Sequence, residues 1–181
     1  MPLPTLHTPR LTLRPFEVQD APIVQRLAGV AEVALTTQNI PHPYGDGVAE
    51  EWIAAHDPAW EAGKFLTLAM VCADDRLVGA VALHLDLAHR RGELGYWVGV
   101  PFWNQGFATE AARALVDFSF HELGLNRIQA RHMTRNPGSG RVMQKVGMRP
   151  EGIHRQHIVA HGKTEDIAMY AILREEWRGA A

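Results

Sequence analysis

The stretch Trp103-Asn104-Gln105-Gly106-Phe107-Ala108-Thr109-Glu110-Ala111 is a turn that leaves an apolar segment, Gly95 to Val100, and runs directly into an amphipathic one. Small residues let consecutive backbone N–H groups converge, and the free amides and positive dipole end of a following helix can hold a diphosphate. A dinucleotide-binding oxidoreductase would need a fuller Gly-x-Gly-x-x-Gly and an acidic residue further on, and neither is present. Histidines are numerous, ten in all. Yet strand alternation sets His154 and His157 on opposite faces, and no His-Glu-x-x-His element occurs, so no metal site is expected. Cys72, the only cysteine, follows Leu68-Ala69-Met70-Val71 and reads as a buried, inert thiol.

The elements that must position the turn follow from periodicity. Leu11 to Pro15 alternates like a half-buried strand. Asp20 can N-cap a helix with Pro22 in its first turn and Ile23, Leu27 and Val30 on one face. Thr36 to Gly47 is a loop, and Val48 to Trp60 reads as a helix with Trp52, Ile53 and His56 inward. Phe65 to Val71 and Arg76 to Leu85 form a hairpin about Ala73-Asp74-Asp75, and Gly92 to Val98 adds a third strand. A long helix from Phe107 to Glu122 carries Ala108, Ala111, Ala112, Leu115 and Phe118 toward a core, with Gly124 at its close. Arg127 to Met133 is a strand, and Asn136-Pro137-Gly138-Ser139 opens a short helix that Gly147 stops. Gly152 to Ala160 and Asp166 to Leu173 close the chain as a hairpin. This order predicts an α+β domain about one central, mostly antiparallel sheet.

Length and composition bound the function. A chain of 181 residues supports one domain with a substantial core. A formal net charge of −2 provides no broad basic field, so neither direct nucleic-acid binding nor a membrane surface is expected. Met1 to Thr12 lacks an apolar signal segment and no long apolar run occurs, which predicts a soluble, cytoplasmic protein.

Four separated motifs resemble the GCN5-related N-acetyltransferases (GNAT) of the RimJ/RimL type. They are Thr8-Pro9-Arg10-Leu11-Thr12-Leu13-Arg14-Pro15 with Asp20; Glu93-Leu94-Gly95-Tyr96-Trp97-Val98 with the Trp103 to Ala111 turn; Asn136 and Ser139 with the Val142 to Met148 helix; and Gly162, Asp166, Tyr170 and Leu173 to Trp177. The resemblance implies a single N-acetyltransferase domain over residues 8–178 and a twisted sheet of about six to seven strands flanked by helices. Strands 4 and 5 of that sheet would splay to form the acetyl-CoA cleft. Two departures stand out. Trp103 and Asn104 replace the Gln or Arg and the Gly usual in the superfamily loop, although Trp is usual in this branch. Met143 stands where many relatives carry the tyrosine that protonates the leaving thiolate.

The implied chemistry is acetyl transfer from acetyl-CoA to a primary amine, without a metal. The amine must lose a proton, for which Glu93 is the candidate base, and the thiolate needs a donor, for which Ser139 is the candidate. Two plainer readings compete: Glu93 paired with Arg90 or Arg91, and Ser139 as a helix N-cap. The cofactor contacts implied are Trp97, Val98, Gly99 and Val100 along the strand, Asn104, Gln105, Gly106, Phe107, Ala108 and Thr109 in the turn, and Asn136, Ser139 and Arg141 beyond it. The acceptor is a protein or peptide N-terminal α-amine, or else a small amine such as a polyamine, amino acid or antibiotic. A non-catalytic acyl-CoA-binding module is the remaining alternative. Thr36 to Tyr44, Leu85 to Arg91 and the last hairpin are the expected acceptor loops, and homodimers are common among such relatives.

Overall fold

The computed structural model describes residues 2–179. Its strands are β1 (Leu6–His7), β2 (Leu11–Arg14), β3 (Phe65–Cys72), β4 (Leu77–Asp86), β5 (Arg91–Val98), β6 (Arg127–Met133), β7 (Arg149–Ala160) and β8 (Lys163–Leu173). They form one sheet in the order β1-β2-β3-β4-β5-β6-β8-β7, eight strands against the six to seven expected. All neighbours are antiparallel except β5 and β6. A parallel pair needs a crossover, and the helix between them supplies it.

The helices are α1 (Ala21–Ala28), α2 (Ala31–Ala34), α3 (Val48–Ala54), α4 (His56–Glu61), α5 (Phe107–His121) and α6 (Pro137–Val146). Alternation along the strands makes two cores. Leu66, Leu68, Met70, Leu83 and Leu94 meet Ala111, Leu115, Phe120 and Met143 of α5 and α6. On the other face Ala69, Val71 and Ala80 meet Val24 and Leu27 of α1 and Ala49 and Ile53 of α3. Full burial of such side chains contributes about 1.5–3 kcal/mol each, which is what fixes strand register.

Several local expectations are corrected. Val48 to Trp60 is two helices, because Pro58 has no N–H to donate to the carbonyl of Ala54 one turn earlier. The buried stripe of α5 is Phe107, Ala111, Ala112, Leu115, Val116, Ser119 and Phe120, leaving Ala108 and Phe118 at its margin. Asp20 makes no side-chain cap to α1; its carboxylate takes the Arg14 guanidinium at 2.8 and 2.9 Å. Cys72 is partly exposed, and burial still pushes its thiol pKa up, so little thiolate forms.

His56 is buried against Phe16 and Trp52, with ring centroids at 5.4 and 4.4 Å, and neither ring nitrogen has a hydrogen-bond partner among the described residues. Burial lowers its pKa to about 4. The unfolded chain therefore takes up a proton below about pH 6.5 that the folded chain refuses until about pH 4, so stability is full above this window and falls through it. Relative to His56→Phe, the protein should lose about 3 kcal/mol between pH 7 and pH 4, measured by urea unfolding at each pH. Parallel pH profiles for the two proteins would refute this.

Candidate active site

The sheet opens between β5 and β6. Their pairing runs from Arg91 and Arg127 to Leu94 and Ala130, and stops. Beyond it β5 stays with β4 to the Gly79–Val98 pair, and β6 stays with β8 to the Met133–Ile167 pair. Each strand follows its own antiparallel partner, and sheet twist separates them into a notch. Gly99 N donates to Val78 O at 2.9 Å, so by the alternation of antiparallel bonds the amides of Trp97 and Gly99 serve β4. Those of Tyr96 and Val98 face the notch instead. Trp97 packs its ring into the α1/α3 core. Of the strand residues expected to meet the cofactor, Trp97 and Gly99 thus give their amides to the sheet, while Val98 offers its N–H and that of Val100 has no partner among the described residues.

The turn after β5 has the geometry of an anion cradle. Its helical bonding begins with Glu110 N donating to Gly106 O at 3.0 Å, so the amides of Asn104, Gln105, Gly106, Phe107, Ala108 and Thr109 have no partner among the described residues. Asn104 and Gly106 take positive φ, 60° and 84°, which turns successive N–H groups toward one side. Asparagine tolerates the left-handed region better than other non-glycine residues, so Asn104 substitutes for the usual glycine at small cost. The backs of the turn are tied: Trp103 Nε1 donates to Val98 O at 2.6 Å, Gln105 Nε2 to Pro101 O at 3.0 Å, and Arg10 Nη1 to Gln105 O at 2.9 Å. Six amides without a partner among the described residues, at the positive end of a 15-residue helix, suit the diphosphate of coenzyme A.

On the α5/α6 face the notch is crossed by Tyr96. Its hydroxyl lies 2.8 Å from Ser139 Oγ and 3.0 Å from Ser139 O. Burial, partly offset by the Ser139 bond, pushes its pKa up to about 12. Sequence reasoning passed over Tyr96, although alternation puts it on the core face with Leu94, where a hydroxyl must find a partner. Ser139 lies inside the first turn of α6. Asn136 is the N-cap, its side chain accepting from Ser139 N at 3.4 Å, so the N-cap reading of Ser139 is overturned. Arg141 is exposed on α6 with no ion-pair partner among the described residues.

Glu93 projects to the opposite face, at the vertex of the notch. One carboxylate oxygen pairs with Arg131 Nε at 2.9 Å and the other accepts from Gln129 Nε2 at 2.9 Å. Arg91 instead pairs with Asp86, and Arg90 donates to Gly124 O. Each oxygen of Glu93 keeps a free lone pair, so the group can still receive a proton directly or through a water. Next to it Gly95 is open, with no atom within 4 Å of where a Cβ would stand. Residues 34–38, the end of α2 and the start of the loop after it, are fastened on this face. Arg135 Nη2 donates to Leu35 O at 2.6 Å, Arg131 Nη2 to Gln38 Oε1 at 3.2 Å, and His161 Nε2 lies 3.1 Å from both Ala34 O and Thr37 O. The start of the Thr36 to Tyr44 loop therefore meets the last hairpin and β6 on the face that carries Glu93.

The histidine expectation fails in one respect. β7 and β8 lose register between His154 and Ile158, where Gln156 has φ of 50° and its amide is held by Asp166 Oδ1 at 2.7 Å. This irregularity cancels the alternation and brings the His154 and His157 rings to 4.8 Å. Among the described residues no group of three or more His, Cys, Asp or Glu side chains is arranged to hold a metal ion. None of the described helices is long and apolar enough to cross a membrane.

Comparison with known proteins gives a consistent picture. The family described as "Acetyltransferase (GNAT) domain" matches residues 10–149. The chain is 30% identical over 176 residues to the N-acetyltransferase p20 of Bacillus licheniformis, covering 97% of this chain and 99% of that one. Its fold superimposes with a TM-score of 0.86 on a GNAT-family acetyltransferase of Bacillus anthracis, at 27% identity over 96% of this chain and 100% of the other. RimJ of Mycobacterium smegmatis, solved with a CoA disulfide, has the same fold, with a TM-score of 0.86 at 24% identity over 97% and 90% of the two chains.

Proposed function

Since the chain belongs to the GNAT acetyltransferase family and is an acetyl-CoA-dependent N-acetyltransferase, we propose that residues 8–178 form one catalytic domain whose acceptor is the α-amine of a protein or peptide N-terminus. The observation that carries this choice of acceptor is the charge of the acceptor face. Glu93 is paired with Arg131 and Glu165 with Arg135, at 2.9 and 2.8 Å. A polyamine brings several cationic centres and needs free carboxylates to hold them, whereas a peptide N-terminus brings one amine followed by amide groups.

In this mechanism the six amides from Asn104 to Thr109 hold the diphosphate, and the Val100 amide pairs with the extended arm as a neighbouring strand would. Glu93 takes the proton that the attacking amine gives up as its nitrogen bonds the acetyl carbon. The Val98 N–H supports the oxyanion. As the carbon–sulfur bond breaks, the sulfur keeps the electron pair, and Ser139 Oγ–H, itself backed by Tyr96, donates to it.

An acceptor screen by free-thiol release tests the assignment. A peptide with a free N-terminus should exceed spermidine, free amino acids and aminoglycosides in kcat/KM by at least about tenfold, or ~1.4 kcal/mol of transition-state binding. A small amine ranking above every peptide would overturn it. Saturating acetyl-CoA should raise Tm by about 5–11 °C, from ~2.7 kcal/mol at a hundredfold excess over Kd, while NAD should not.

A further inference from the structure

The opening motif Thr8-Pro9-Arg10 has no part in the chemistry above, yet it lies against the back of the diphosphate turn. Arg10 Nη1 donates to Gln105 O at 2.9 Å, and its guanidinium carbon sits 4.8 Å over the ring of Phe107, the first residue of α5. A Cβ on Gly106 would stand 3.3 Å from Arg10 Nη2, so the guanidinium touches three consecutive residues of the turn. The arginine is itself held. Glu110, in the first turn of α5, accepts from Arg10 Nε at 2.6 Å, from Arg10 N at 2.9 Å and from Thr8 Oγ1 at 2.6 Å.

We propose that Arg10, locked by Glu110 and Thr8, is a positioning residue that keeps the amides of Asn104–Thr109 turned outward and thereby sets the affinity for acetyl-CoA. This rests on assigning that turn to the coenzyme diphosphate. Two physical effects act together. Anchoring the Gln105 carbonyl on the far side of the turn fixes the peptide plane between Gln105 and Gly106, so the Gly106 N–H points the other way, toward the ligand. The cation also balances the Glu110 carboxylate, which would otherwise place a negative charge one helical turn beneath a bound diphosphate. The geometric effect is the larger, because the ion pair is partly exposed and screened whereas the peptide orientation is all or none.

The test uses the full chain, with calorimetric titration of acetyl-CoA and steady-state kinetics. Arg10→Met should raise Kd and KM for acetyl-CoA by about tenfold, with kcat at saturation within about twofold of wild type, the pattern of lost preorganisation. Arg10→Lys keeps the charge and loses the fork, and should remain at least about threefold weaker, which also covers the case in which the methionine variant does not fold. Arg10→Met combined with Glu110→Gln should bind no better than Arg10→Met alone. Wild-type affinity in the methionine or lysine variant would overturn the proposal, as would restored affinity in the double variant. Failure of the wild type itself to bind acetyl-CoA would instead sink the assignment of the turn.

Discussion

Glu93→Gln should lower kcat about a hundredfold at neutral pH and leave KM for acetyl-CoA within about twofold, the effect expected for a general base that does not touch the coenzyme. The glutamine keeps the side chain's shape and one acceptor for Arg131 or Gln129, so the loss isolates the missing proton acceptor. Folding should change little, since the Glu93–Arg131 pair is partly exposed and such pairs contribute about 0–1 kcal/mol. A pH profile gives the sharper discrimination. An amine acceptor is increasingly neutral as pH rises, so the variant's deficit should shrink steadily toward alkaline pH. Full kcat in Glu93→Gln at every pH would mean that the carboxylate serves only to anchor Arg131, and through Arg131 the loop at Gln38.

The second large effect concerns the leaving group. Ser139→Ala should reduce kcat by about 30- to 100-fold, Tyr96→Phe by about tenfold, and the double variant no more than Ser139→Ala, because Tyr96 acts through the serine hydroxyl. Magnitudes decide what kind of help this is. Tyr96, at about 12, is some 3.5 units above an ordinary thiol near 8.5, so full transfer of its proton to the thiolate costs about 5 kcal/mol. In the proposed mechanism the pair therefore stabilises the thiolate by hydrogen bonding, and water delivers the final proton. The sign of the pH dependence follows: Tyr96 remains protonated below about pH 12, so no alkaline decline of kcat should arise from it up to pH 10. A decline near pH 8 that vanishes in Tyr96→Phe would refute this, as would multiplicative losses in the double variant.

Much of this arrangement is legible in the linear chain, for identifiable reasons. The turn proposed for the diphosphate offers backbone amides, so it is announced by a local pattern: an apolar strand, small and left-handed-tolerant residues, then helical periodicity. Long elements with strong periodicity are equally local, and β6 begins and ends where its sequence pattern does, at Arg127 and Met133. The break at Ala55 follows from a single donor missing at Pro58, although the inward positions of Ile53 and His56 on either side of it hold. The His154–His157 contact was illegible because one residue at positive φ, stabilised by Asp166 on the next strand, cancels a two-residue alternation.

By itself the sequence determined the family, the α+β order, the strand, turn and helix about Gly106 and the presence of a carboxylate and a hydroxyl near the notch, because each is encoded by neighbours in the chain. Tertiary structure alone decided their partners. Glu93 meets Arg131 rather than Arg90 or Arg91 because β5 and β6 pair in parallel with Glu93 beside Gln129. Tyr96 reaches Ser139 because α6 returns across the opened sheet. Arg10 reaches Gln105 because β2 lies under α5, joining residues far apart in sequence. Such long-range contacts are set by how cores pack, and core packing is a property of the whole chain rather than of any segment of it.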